Sequence, residues 1–217
     1  MFITTQGFKN LIKEMYKAKK LHIANDGEGY TISGWYWDIW IAHGWIPKKE
    51  LAAIIELTGE LPAAGAAFTA SKDGNQYELE FLGEKDTMQL AWHCDMELDI
   101  TPIVLKYDTG QQARVLQRQD NGKIVLINER FMDMIDNAVV EYGKGESQAE
   151  GPFIHSTKTG IFYRNDTMAM RIMPRIDDKN VRLLEYLEKF EIIGAQEDGL
   201  SGNGIPEAGK EKEKEEA

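Results

Sequence analysis

The chain has 217 residues, 42% of them hydrophobic, enough for one well-packed core. Its formal charge of −11 argues against direct binding to nucleic acid, where affinity comes mainly from Lys and Arg neutralising phosphates. One cysteine, Cys94, allows no internal disulfide. The first twenty residues lack a signal peptide's apolar run, and no stretch is long and apolar enough to span a membrane. The expectation is a cytoplasmic protein.

Residues 5 to 19 place Phe8, Leu11, Ile12 and Met15 at i, i+3, i+4 and i+7, predicting an amphipathic helix. Two short apolar runs then flank Asp26-Gly27-Glu28-Gly29, the composition of a hairpin turn. The next stretch, "GWYWDIWIAHGW", reads as a strand running to His43-Gly44. Alternation puts Trp35, Trp37, Ile39 and Ile41 on one face, expected as core, and Tyr36, Asp38, Trp40 and Ala42 on the other. Pro47 fits the first turn of a helix carrying Leu51, Ile54, Ile55 and Leu57 and stopping at Gly59.

The middle of the chain predicts a hairpin around Lys72-Asp73-Gly74-Asn75, strands in "TMQLAWHCDMEL" and "TPIVLKY", and a second hairpin around Asp120-Asn121-Gly122. Short connections favour antiparallel meanders. Asn128 is placed to cap a helix over about 129 to 141, with Phe131, Ile135, Ala138 and Val139 on one face and Gly143 ending it. An exposed loop, "KGESQAEGP", precedes up to three short strands in "FIHSTKTGIFYRNDTMAMRIMP". Asp177 opens a last helix bearing Val181, Leu184, Leu187 and Phe190. The composition thus predicts a single α+β domain over 1–194, an antiparallel meandering sheet flanked by about four helices. The Gly-, Glu- and Lys-rich residues 195–217 have too little apolar content to offset the entropy of ordering and are expected to form a disordered acidic tail.

Three groups of residues invite a functional reading. The mixed face of the tryptophan stretch, with Tyr36, Asp38 and Trp40 and with His43 and Trp45 at its exit, suits ligand stacking or a partner surface, because aromatics are enriched at binding hot spots. A core covered by helices explains the same pattern. In "HCDMELDI", His93, Asp95, Glu97 and Asp99 alternate to one face of a strand, at about 6.6 to 6.8 Å per pair of residues. Such a row is a solvated face, a metal site needing help from a neighbouring strand, or a line of like charge that attracts a basic groove. Glu129, Asp133 and Asp136, at i, i+4 and i+7, form a second acidic stripe, with Arg130 its nearest counter-charge in sequence. His155 and Thr157 alternate beside Ser156 and Lys158, the composition of a base near a hydroxyl nucleophile. No second His-x-Thr or His-x-Ser accompanies them, and no nucleophile elbow, phosphate loop or dinucleotide fingerprint is present. Neither cofactor nor metal is expected, and Cys94 alternates toward the apolar face as an inert thiol.

The segment "LHIANDGEGYTISGWYWDIWIAHGWIPKKELAAIIELTGELP" resembles small uncharacterised proteins of prophages and other mobile elements of gut Firmicutes. That resemblance covers about the first third of the chain and implies a host-interaction or counter-defence role. Together with the acidity it gives the leading expectation: a non-enzymatic protein that occupies the basic nucleic-acid surface of a host defence nuclease, as anti-CRISPR proteins do. Two alternatives stand beside it. One is a nucleotide-like ligand held by Tyr36, Trp40 and Trp45 with His43 or His155 supplying a proton; the other is a structural component of an assembly.

Overall fold

A computed structural model describes residues 1–78, 86–135, 149–155 and 160–192. Its centre is an eleven-stranded, wholly antiparallel sheet in the order β5-β4-β1-β2-β3-β11-β10-β9-β6-β7-β8. The strands are β1 (Leu21–Asn25), β2 (Gly29–Ser33), β3 (Trp37–Ala42), β4 (Ala67–Ser71), β5 (Gly74–Tyr77), β6 (Met96–Lys106), β7 (Gln112–Arg118), β8 (Ile124–Asn128), β9 (Glu150–Ile154), β10 (Ile161–Asn165) and β11 (Met168–Ile172). Five helices are described: α1 (Thr5–Lys17), α2 (Lys48–Thr58), α3 (Asp86–Trp92), α4 (Glu129–Met132) and α5 (Val181–Leu187). The α+β architecture is as predicted, with one helix more than expected and a sheet that dominates the molecule.

The sheet curls back on itself. Ile172 pairs with Trp37 inside the sheet, while the Arg175 N–H donates to the Leu126 carbonyl of edge strand β8 at 2.8 Å. Three residues reach about 10 Å at most. In a flat sheet β11 and β8, five strands apart, would be separated by about 24 Å. Only strong curvature reconciles the two, as the right-handed twist of a large sheet allows. The inner face holds the main core. Leu21, Ile23, Ile32, Trp37, Ile39, Ile41, Phe68, Leu116, Ile127, Met168 and Met170 meet Phe8, Leu11, Ile12 and Met15 of α1, Ile54 of α2 and Phe131 of α4 there. Thr4 caps α1 by accepting from the Gly7 N–H, and its apolar residues form one fully buried stripe.

The outer face is covered in two places. In its middle α3 packs Ala91 and the following Cys94 onto Phe153, Phe162 and Ala169. At the β6–β8 end, Leu184 of α5 and Ile192 lie against Val115, Leu126, Leu105 and Tyr107.

Three sequence expectations need correction. The strand in "GWYWDIWIAHGW" starts at Trp37, because the Gly34 N–H donates to the Trp37 carbonyl and closes the hairpin with Trp35 and Tyr36 at its tip. Trp35, expected in the core, is 55% exposed. A Cβ on Gly34 would meet the Met15 side chain and the Trp37 indole nitrogen at 2.7 Å, so glycine lets α1 approach the hairpin closely. Residues 87–92, expected as strand, are helical, within α3. Met, Gln, Leu and Ala are good helix formers, and the last turn is capped from outside: Arg164 donates to the carbonyls of Ala91 and Cys94, between the rings of Trp92 and Phe153. His93 therefore follows a helix and does not share a strand face with Asp95. Finally, the end of the strand expected in "TMQLAWHCDMEL" and the strand expected in "TPIVLKY" are one strand, β6, with a bulge at Thr101-Pro102, between Ile100 and Val104. The bulge accommodates a residue without an N–H, and Thr101 donates its hydroxyl to the Val115 carbonyl at 2.7 Å. The helix expected to 141 is described only as far as α4 and the turn after it, Thr157 lies outside the described residues, and so does the expected tail.

Candidate functional site

The aromatic group is dispersed along β3. Tyr36 sits at the hairpin tip, 56% exposed, with its ring edge-on to Trp35. Asp38 is tied by its carboxylate to Arg171 on the neighbouring strand. Trp40 is buried, lies over Gly29, and donates its indole N–H to Asp26 at 3.0 Å, so it braces the β1–β2 turn. His43 is exposed at the far end, tilted against Tyr30, and Trp45 packs on the main core. A six-residue strand spans about 20 Å. Tyr36 and Trp45 thus lie at opposite ends of it, and the predicted aromatic pocket does not form.

The acidic residues divide differently. Cross-strand register puts Asp99 beside Gln117 on the outer face of β6 and β7, whereas Ile100 faces Leu116 and Leu98 the core. Glu97, two residues earlier, shares the face of Asp99, and Asp95 continues the line just before the strand begins. Asp95 and Glu97 are exposed, and Asp99 accepts from the Gln119 side chain at 2.8 Å. The second stripe lies on the opposite, inner side, because α4 packs its Phe131 into the main core. Glu129 is no free acid there: both its oxygens accept from the Arg114 guanidinium, which reaches it from β7. A sequence window around residue 130 contains no sign of that partner. Asp133 is exposed, Arg130 is engaged by Glu14 of α1, and Asp136 falls outside the described residues. The two acidic rows therefore belong to two surfaces.

Beside Asp99 the structure forms a cleft of about 500 Å³ between the β7–β8 turn and the chain after α5. No local sequence signal marks it, since it joins segments about seventy residues apart. Gln117, 4% exposed, holds it together. Its side-chain amide donates to the carbonyls of Gly122 and Phe190, at 3.0 and 2.8 Å, and accepts from the Ile192 N–H at 2.8 Å. Glu188 adds a bond by accepting from the Ile124 N–H at 3.1 Å, which also satisfies part of the free edge of β8. The approach to α5 is fixed as well. Tyr107 donates to Asp177 at 2.6 Å, and Arg175 stacks on the Tyr107 ring at 3.9 Å. Burial and the Asp177 carboxylate together push the Tyr107 hydroxyl up to about 12. The rim carries Asp99, Asp120, Glu188 and Glu191 against Arg118 and Lys189, and Arg118 is already paired bidentately with Asp120. The unspent charge of the cleft is negative and runs on from the β6 row.

Among the described residues, no three His, Cys, Asp or Glu side chains gather closely enough to hold a metal ion. No helix among them is long and apolar enough to cross a membrane. Cys94 is buried against α3, donates to the Leu90 carbonyl, and has its thiol pushed up to about 11 by that burial. No protein-family model matches the sequence, and comparisons with curated proteins and with solved structures return no match.

Proposed function

We propose that the protein is a non-enzymatic interaction protein that captures a basic protein partner on the acidic outer face of β6 and β7, and that the partner is a nucleic-acid-binding host enzyme whose basic groove this face occupies. The observation that carries the reading is the pair Glu97 and Asp99, held at strand spacing on the bonded ladder of β6, with Asp95 just ahead of it and the acidic rim of the cleft beyond. Fixed like charges of this kind raise the local field, steer a cationic surface into encounter and set its register. A defence nuclease, inhibited in the manner of anti-CRISPR proteins, is the partner class that combines a basic groove with the mobile-element resemblance.

The dispersal of Tyr36, Trp40 and Trp45 removes the geometry on which the small-molecule reading depended. The test is size-exclusion chromatography against a panel of basic nucleases at low and high salt. Complexes that form at low salt, weaken as salt rises and are lost in Glu97→Lys/Asp99→Lys are expected. Absence of any complex at every salt concentration overturns the reading.

A further inference from the structure

Helix α5 buries none of its residues, although four of its seven positions are Val, Leu, Leu and Leu and a fifth is Tyr. Leu184 and Leu187 turn half-way into the body, and Leu184 reaches the Val115–Leu126 cluster. Val181, Leu183 and Tyr186 point outward, 42 to 57% exposed, with Phe190 just beyond the helix at 49%. Leu183, Tyr186 and Phe190 stand at i, i+3 and i+7, and the two rings lie in tilted contact with centroids 5.0 Å apart. Scattered exposed apolar residues need no explanation, but a contiguous stripe of them bordered by charge is the composition of an interaction surface, with Tyr and Phe as its anchors.

The stripe runs directly into the acidic cleft, because Phe190 lines both. Its borders carry Glu185, Glu188 and Glu191 together with Arg182 and Lys189, and beyond them lies the net-acidic cleft rim with Asp99, where Asp120 is already paired with Arg118. Two copies of the chain meeting through this stripe would bring their net-acidic cleft rims and β6 carboxylates together, which opposes self-association. A cationic segment meets no such penalty.

We infer that the outward stripe of α5 and the adjoining cleft form one docking groove for a cationic amphipathic segment, its apolar side on Leu183, Tyr186 and Phe190 and its Lys or Arg residues over Glu191 and the Asp99 row. This rests on the proposal that the acidic face receives a basic partner, and it specifies what part of that partner is held. The mode is that of an amphipathic helix laid into a groove, where apolar anchors supply affinity and charge supplies orientation. Gln117 acts as a positioning residue: by clamping Phe190 and Ile192 to β7 it sets the stripe relative to the acids.

Fluorescence anisotropy on the full chain tests this with two labelled probes of equal length and charge, a Leu/Lys amphipathic helical peptide and an oligolysine. The amphipathic probe is expected to bind at least about tenfold more tightly than oligolysine, a difference of about 1.4 kcal/mol. Tyr186→Ala/Phe190→Ala is expected to abolish that difference and leave oligolysine binding unchanged. Glu191→Lys weakens both probes. Equal affinity of the two probes for the unaltered chain, or a preference that survives loss of both rings, overturns the groove while leaving the acidic surface standing. Failure of both probes to bind at low salt overturns the acidic surface and the groove with it. Unaltered thermal midpoints in the variants separate lost binding from lost fold.

Discussion

Helices α1 and α5 are made of similar material and put to different use. In α1 the apolar residues Phe8, Leu11, Ile12 and Met15 fall on one stripe, and all four are buried in the main core. In α5 the apolar residues are spread around the helix, so the sheet can cover one side only and none becomes buried. The difference teaches that apolar content alone does not specify burial. One stripe makes a helix part of the fold, and a second stripe on the same helix remains available to something else.

Substitutions separate the two regions by the size of their effects. Truncating Phe8 to alanine leaves a void in the main core and is expected to cost about 4 kcal/mol in denaturant unfolding. Arg114→Ala is expected to cost about 3 kcal/mol, because it strands the partly buried Glu129 carboxylate; Arg114→Leu/Glu129→Leu recovers most of that loss. If the double variant is as unstable as the single one, the pair itself is the source of stability. The Cys94 thiol gives a third scale. Its shift from 9 to about 11 lowers the thiolate fraction of the folded chain about a hundredfold at neutral pH. Alkylation in native buffer is expected to be slower than in denaturant by at least that factor, since access is restricted too. The linkage has a definite sign: the folded state disfavours the thiolate, so its contribution is intact below about pH 9 and falls as pH rises toward 11.

On the α5 side the expected costs are smaller. Gln117→Ala leaves the carbonyls of Gly122 and Phe190 and the Ile192 N–H without their partner, costing about 2 kcal/mol by thermal unfolding. Tyr186→Ala removes an exposed ring and is expected to change stability by less than about 0.5 kcal/mol. A loss as large as that of Phe8 would place Tyr186 in the fold and erase the contrast between the helices.

The sequence made the periodic elements legible and the long-range ones not. The i, i+3, i+4, i+7 spacing of α1, the Asp-Gly and Asn-Gly turns of the hairpins and the glycine stop of α2 at Gly59 are local signals, and each appears where expected. Alternation correctly put Trp37, Ile39 and Ile41 together in the core but carried the strand two residues too far, across a turn that the Ser33-Gly34 pair signals. The helicity of 86–92 was readable in its propensities; its cap, Arg164, comes from more than seventy residues away. A similar distance hid Gln117 from the cleft, and Arg114, fifteen residues before Glu129 and on another element, carried no local sign of its pairing with the acidic stripe. For the candidate surface, Glu97 and Asp99 were legible because two-residue periodicity survives on β6, whereas His93 and Asp95 precede the strand. Its continuation into the α5 groove depends on how the sheet curls, and curvature leaves no local mark.

Hydrogen–deuterium exchange of the full chain, with and without the amphipathic cationic probe, tests the central claim most directly. Protection confined to residues 95–99, 117–122 and 181–192 is the expected result, with the Trp35–Tyr36 hairpin tip unchanged. Protection at the hairpin tip instead, or no protection in the three segments under conditions where the probe binds, contradicts it.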